Sequence, residues 1–277
     1  MPRLSFALFG AAALSFGFAG VAGAADIPIK APAYVAPAAV PGWTGFYVGG
    51  DLGALWMSQD AVWNPLPSPA AFTVFPIGGR LDSSHFVGGV HGGYDWQLAP
   101  TWVVGIEGDY SWTDAGASVQ GVWQSFPTGQ PSFPTTLSSL SDKLESLGSV
   151  RGRIGYLVTP NALAYVIGGA GWGRFEYDAF ARNTANSYLA STSFSKIQSG
   201  YVLGGGLEWA LTQNWMVRGE YLYYSFGGSS TVAPAPGFPT FPSGFAWHNA
   251  VIQQVRLGLS YKFDWGVPAA GQYSARN

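Results

Sequence analysis

The amino-acid sequence predicts an all-β protein, a transmembrane antiparallel up-and-down β-barrel of about eight strands with short periplasmic turns and long external loops. Apolar and polar residues alternate in about eight segments, as expected for strands with two different faces. Aromatic residues make up 16% of the chain, charged residues only 10%, and glycine occurs 39 times. Beyond the N-terminal region no apolar stretch is long enough to cross a bilayer as a helix, and a membrane protein without such helices must be a closed barrel.

The clearest alternation lies in the last strand, 251–263, which we expect to close the barrel. Its apolar face carries Val255, Leu257, Leu259, Tyr261 and Phe263. Its other face carries Gln254, Arg256, Gly258, Ser260 and Lys262.

The N-terminus predicts export. Residues 1–24 combine Arg3, an apolar core and the small-residue site Ala22-Gly23-Ala24, which together are typical of a signal peptide cleaved before Ala25. Residues 25–41 contain four prolines and predict an extended periplasmic linker. We assign 42–265 to the barrel and 266–277 to a C-terminal tail.

Composition excludes several classes of function. The chain has no cysteine, so neither a disulfide framework nor thiolate chemistry is available. It has 13 Lys and Arg against 15 Asp and Glu, and no basic patch of the kind that nucleic acid requires. We therefore expect no nucleic-acid partner.

The other strands are predicted at 43–58, 84–98, 101–112, 143–158, 162–177, 200–211 and 215–226. In 162–177 both faces are apolar until Arg174 and Glu176, which we expect to face inward. The connections alternate between long loops, at 58–83, 112–142, 178–196 and 227–247, and short turns. An even strand number with this alternation is typical of outer-membrane barrels.

Aromatic residues near the segment ends predict interfacial girdles on the lipid face. They are Trp43, Trp56, Trp96, Trp102, Trp112, Trp209, Trp215 and Tyr261.

The inward faces carry charges of both signs. Because side chains nearly fill an eight-stranded barrel, these charges are expected to pair in a network that plugs the lumen. The predicted network comprises Asp51, His91, Asp95, Glu107, Asp109, Arg151, Arg153, Glu208, Arg218, Glu220, Arg256 and Lys262.

Several motifs along the mature chain resemble those of the small outer-membrane surface-antigen barrels of alphaproteobacteria, commonly labelled porin-family or OmpA-like barrels. They are WTGFYVGG from Trp43, FVGGVHGGYDWQ from Phe86, VVGIEGDYSW from Val103, GSVRGRIGY from Gly148 and EYLYYSFG from Glu220. Such chains usually end at an aromatic residue that acts as an assembly signal. This chain continues past Phe263, so the resemblance leaves that role to Phe263 or Trp265.

Other chemistries have weaker signals. Glu107 and Asp109 share one strand face at a spacing of roughly 7 Å, which a glycosidase could use. A lipid hydrolase would need a nucleophile such as Ser84 or Ser111 beside a histidine. His85 and His248 are expected at strand ends facing the external loops, and no metal-binding spacing links the three histidines. We expect no cofactor, no metal and no enzymatic activity.

Two functions follow from these features. The first is a structural barrel with a plugged lumen that contributes to envelope integrity and surface display. The alternative is a narrow passive porin for small solutes. Expected partners are outer-membrane lipid, lipopolysaccharide and the barrel-assembly machinery, while the oligomeric state does not follow from the sequence.

Overall fold

A computed structural model describes residues 42–65, 72–73, 77–123, 126–127, 136–183, 189–233 and 243–263. The predicted signal peptide, the linker at 25–41 and the tail at 266–277 lie outside the described residues. No helix long and apolar enough to cross a bilayer is present in the described part of the chain.

The described chain forms twelve strands, each antiparallel to its partners. They are β1 (Gly45–Pro65), β2 (Phe72–Thr73), β3 (Ile77–Gln97), β4 (Trp102–Trp123), β5 (Phe126–Pro127), β6 (Thr136–Thr159), β7 (Ala162–Asn183), β8 (Leu189–Ala210), β9 (Trp215–Phe226), β10 (Ser229–Ala233), β11 (Ser243–Trp247) and β12 (Ala250–Lys262).

Eight of these strands close into a ring, because β1 pairs with both β3 and β12. The paired residues can be followed once around it, through Tyr47, Gly93, Glu107, Arg151, Gly169, Val202, Tyr224, Ile252 and Met57. The path returns to β1 ten residues beyond its start, which fixes the stagger of the barrel. The predicted eight-stranded up-and-down barrel is confirmed, and an interior of this size is just wide enough for side chains to fill.

The outer surface carries an apolar band between two aromatic belts. At the periplasmic belt Trp102 packs edge-on against Tyr156 at 5.4 Å, and Trp215 against Tyr261 at 5.2 Å. At the external belt, Trp172 lies over Gly148, where a Cβ atom would come within 2.7 Å of the indole ring. These rings have the amphipathic character that the membrane interface favours.

The strands extend much further outward than predicted, and this corrects the extent of the predicted long loops. Large parts of 58–83, 112–142, 178–196 and 227–247 are strand. Outside the membrane the outward residues need not be apolar, so these extensions lack the lipid-facing residues that mark a membrane strand in the sequence. The short turns between β3 and β4, β6 and β7, and β8 and β9 agree with the prediction.

Beyond the external belt, the ring separates into two sheets, which we call the external sandwich. Pairing between β3 and β4 ends at Val87 and Thr113, and pairing between β8 and β9 ends at Gly200 and Phe226. One sheet contains the outer parts of β3 and β1 with β11 and β10, and the other contains the outer parts of β4, β6, β7 and β8. Aromatic rings fill the space between the sheets, for example Tyr177 against Trp247 at 4.7 Å.

The prediction that Arg174 and Glu176 face inward is wrong. Arg174 lies on the outer face, where its guanidinium Nε donates to Glu145 at 2.7 Å and its side chain is 57% exposed. The neighbouring Phe175 and Tyr177 point inward instead and are fully buried. A run of charged residues marks the inward face within the membrane, and β7 has already left the membrane at these positions.

Trp43 also differs from prediction, because it lies inside the barrel and not in a girdle. Its side chain is 2% exposed, and its Nε1 donates to the carbonyl of Pro160, in the turn between β6 and β7, at 3.2 Å. Gly45, the first residue of β1, has a φ of 146° that residues with side chains rarely adopt. The start of the barrel therefore folds into the periplasmic mouth.

Replacing Trp43 with Ala is expected to destabilise the barrel by about 3 to 5 kcal/mol, since a buried indole and its hydrogen bond are lost. Urea unfolding of the refolded protein in detergent would measure the change. Trp215→Ala, on the lipid face, is the matched control. Equal effects of the two substitutions would contradict an internal role for Trp43.

A charged lumen as the candidate functional site

All twelve residues of the predicted network lie in the interior, and none is more than 6% exposed. They come from seven of the eight ring strands, and β7 contributes mainly glycine and Tyr165 at this level. Antiparallel pairing places them opposite one another across a narrow lumen. The structure therefore brings together residues that are far apart in the sequence, such as Arg256 and Asp51, whose charged groups lie 3.5 Å apart.

The larger cluster contains three arginines and four carboxylates. Arg151 contacts Glu107, lies 3.3 Å from Asp109, and is 3.5 Å from Glu220. Arg256 bonds Glu220 at 2.6 Å and Asp109 at 3.0 Å. Arg218 contacts Glu107 and lies 3.3 Å from Asp51. Arg256 also lies 3.5 Å from Asp51. Each carboxylate therefore faces at least two guanidinium groups.

Arg153 forms a second cluster. One of its Nη atoms lies 2.6 Å from Asp95 and 2.7 Å from Glu208. Its guanidinium also lies over the rings of Tyr47 and Tyr165, at 5.2 and 4.9 Å from their centroids. A planar cation between two aromatic faces is favourably placed, because the ring quadrupoles attract it.

Two tyrosines that the sequence pattern did not predict join the clusters. Tyr47 donates to Glu107 at 2.8 Å, and Tyr165 donates to Glu220 at 3.1 Å. Both rings also touch Arg153, so they connect the second cluster to the first. Both tyrosines alternate with the lipid-facing residues of β1 and β7, and this pattern could have predicted that they face inward. However, an aromatic residue on a membrane strand is typical of a lipid-facing position when its partners are unknown.

Glycines across the ladder make room for the long side chains. Gly169 pairs with Arg151, and Gly53 pairs with Arg256. A Cβ at Gly169 would lie 2.6 Å from the Cα of Arg151, and one at Gly53 would lie 2.8 Å from the Cα of Arg256. At these two positions the close approach of the neighbouring strand excludes a side chain.

His91 belongs to a hydrogen-bonded chain that the sequence did not predict. Its Nδ1 lies 2.7 Å from Asp51, and its Nε2 lies 2.8 Å from the hydroxyl of Ser260. The order of these groups resembles a hydrolase triad. However, Ser260 is fully buried, His91 and Asp51 are each only 3% exposed, and Asp51 also accepts from Arg218.

The residues that hydrolytic chemistry could use lie in different environments. Glu107 and Asp109, the pair that a glycosidase could use, are both held by arginines. Ser111 is buried, whereas Ser84 is exposed. The two carboxylates are therefore members of the lumen network.

The two histidines outside the network lie on the external side of the barrel. His85 lies within β3 and not at a strand end, and its Nε2 accepts from the amide of Gly116 at 3.5 Å across the gap between β3 and β4. His248 is exposed between β11 and β12, as expected. Within the described ranges, no group of three or more His, Asp or Glu side chains is arranged to hold a metal ion.

The closed ring, the apolar outer band and the charged interior define a small outer-membrane β-barrel. The profile of the family described as "Outer membrane protein beta-barrel domain" matches residues 11–263. The chain belongs to this family, and its location is the outer membrane.

One curated relative is the 31 kDa outer-membrane immunogenic protein of Brucella melitensis biotype 1, with 33% identity over 259 residues that cover 91% of this chain and 98% of that protein. The predicted relation to alphaproteobacterial surface antigens is therefore confirmed. Among solved structures, Ail of Yersinia pestis matches with 14% identity and a TM-score of 0.34, covering 79% of this chain and 99% of that chain. The outer membrane protease OmpT of Escherichia coli matches with 10% identity and a TM-score of 0.43, covering 79% and 97%.

Replacing Arg151 with Ala should lower the free energy of unfolding by about 3 to 5 kcal/mol, because three buried carboxylates lose a shared cation. Arg174→Ala removes an arginine from an exposed pair and should cost at most about 1 kcal/mol. Denaturant unfolding of both variants measures the difference. If the two variants unfold at the same denaturant concentration, the lumen network does not stabilise the barrel.

Proposed function

We propose that this protein is a non-enzymatic structural barrel that contributes to envelope integrity and displays the external sandwich on the cell surface. The observation that carries the proposal is an interior filled with side chains at three successive heights. Trp43 occupies the periplasmic mouth, the arginine and carboxylate clusters occupy the membrane level, and aromatic rings occupy the external sandwich.

The charged layer is the central barrier in this proposal. An ion that entered the lumen would have to displace a guanidinium from its carboxylates or find room beside them. The four lumen arginines are each at most 2% exposed and bond two or more carboxylates. Breaking such a contact leaves an unpaired charge at low dielectric, which costs several kcal/mol.

The external sandwich is the proposed display platform. Its strands carry the connections β1–β3, β4–β6, β7–β8 and β10–β11 away from the membrane, and β2 pairs with β5 between the first two of these connections. Polar residues dominate its outer surface, as the ion pairs of Lys143 with Asp114 and of Arg80 with Asp82 illustrate. Such a surface suits exposure to water.

The proposed partners are outer-membrane lipid, lipopolysaccharide and the barrel-assembly machinery. The apolar band fits lipid chains, and the ion pairs above the external belt would be available to lipopolysaccharide head groups. For assembly, β12 ends at Lys262, and the amide of Phe263 donates to the carbonyl of Phe46 at 2.8 Å. This aromatic end of the closing strand is the part of the chain that the machinery would recognise.

The refolded mature protein, 25–277, is expected to conduct no ions in planar bilayers across a range of salt concentrations. The double variant Arg151→Gln, Arg153→Gln should remain closed as well, since the aromatic layer and Trp43 still fill the ends. Discrete current steps in the unmodified protein that change in the double variant would overturn the proposal in favour of a narrow porin for small solutes.

Surface display is tested by inserting an epitope tag between residues 127 and 136, in the connection from β5 to β6. Antibody should bind this tag on intact cells. The control tag, placed at 212–214 in the short turn between β8 and β9, should bind antibody only after the outer membrane is permeabilised. Labelling of the control tag on intact cells would contradict the orientation.

A further inference from the structure

Asp142 differs from every other buried carboxylate that the structure describes. It lies on the inward face of β6 in the external sandwich and is 2% exposed. The six carboxylates of the lumen each have an arginine within 3.5 Å. Neither oxygen of Asp142 has a cation or a side-chain hydrogen-bond donor.

The neighbours of Asp142 on the same face of its own strand are apolar. Leu140 and Leu144 lie on the same face of β6 and are at most 1% exposed. Across the ladder Asp142 pairs with Ala117 on β4 and with Tyr177 on β7. The ring of Tyr177 packs in turn against Trp247 from the opposite sheet at 4.7 Å. The carboxyl group therefore sits at the base of the aromatic contact that joins the two sheets.

Few titratable groups face this position. β7 presents Tyr177, whose own pKa is raised by burial, and whose hydroxyl accepts from Gln198 of β8 at 2.7 Å. β4 presents Ala115, Ala117 and Val119, none of which titrates, while β1 and β11 present Gln59 and Trp247. His85 on β3 and Lys196 on β8 lie at a similar height in the external sandwich, but neither forms an ion pair with Asp142. Lys143, the next residue on β6, points outward and pairs with Asp114.

We propose that Asp142 is a proton-operated lock on the external sandwich. When the carboxyl is neutral, the two sheets pack closely around it. When it ionises, an uncompensated charge lies in an apolar layer, so states in which the sheets separate and water enters become more populated. The aromatic interior and the unpaired edges of β3, β4, β8 and β10 would then become accessible at neutral and alkaline pH.

The direction of the pH dependence follows from proton binding. An unfolded aspartate ionises near pH 3.9, whereas burial raises the pKa of Asp142 to about 7, against a weaker opposing effect of the Ala117 amide. Between these values the closed sandwich holds a proton that the opened form has released. Its stability therefore decreases as pH rises from about 4 to 7 and changes no further above that range.

A single buried cysteine can report this opening, because the natural chain contains none. Ala181 is fully buried and lies on the same face of β7 as Tyr177, further along the strand. Two full-length proteins are compared, one carrying Ala181→Cys alone and one carrying Ala181→Cys with Asp142→Asn. The rate of maleimide labelling of each is measured at each pH. The ratio of the two rates cancels the intrinsic pH dependence of the thiol. Asp178→Asn, on the exposed face of the same strand, is the matched control.

The expected result is that the ratio of labelling rates, Asp142 protein over the Asp142→Asn variant, rises by about tenfold or more from pH 5 to pH 8, since each unit of pKa difference is a factor of ten. Asp178→Asn should leave the profile unchanged. A ratio that is constant with pH overturns the proposal. If Ala181→Cys does not fold, amide hydrogen exchange of 174–183 in the cysteine-free pair decides the same comparison.

Discussion

Four arginines buried among six carboxylates are the constraint on which the barrel depends. A guanidinium at low dielectric is tolerated only when carboxylates and hydrogen-bond acceptors surround it on several sides. Here the acceptors for one arginine come from more than one strand, as Glu107 and Asp109 of β4 and Glu220 of β9 do for Arg151. The network therefore requires the ring to be closed with the correct stagger, since a slip of one residue in a strand would turn that strand's members to the lipid face.

The two faces of the barrel wall change their character at the external belt. Within the membrane the outer face is apolar and the inner face is charged. Above the belt the outer face carries Arg174 and Glu145, while Phe175 and Tyr177 turn inward. The reversal has one cause, which is that the solvent outside the barrel changes from lipid to water. The same strands are thus membrane strands at one end and ordinary sandwich strands at the other.

This reversal explains how much of the structure could be predicted from the sequence. The eight-stranded ring and the inward position of residues such as Arg151 and Glu220 follow from alternation against a lipid-facing surface. That signal disappears where the outer face meets water, so the strand extensions resemble loops in the sequence and Arg174 is predicted on the wrong face. The partners within the network, and the position of Trp43, depend on contacts across the barrel that no local pattern encodes.

The indole of Trp43 links two parts of the chain that are 117 residues apart, at the point where the first strand begins. The residue just before β1 is therefore part of the packed interior of the barrel and not merely a tether behind it. Removing it would leave the last strand able to pair with the first, yet the periplasmic end of the cylinder would be uncapped. The last strand closes the ring of the barrel, and the side chain that precedes the first strand closes its periplasmic end.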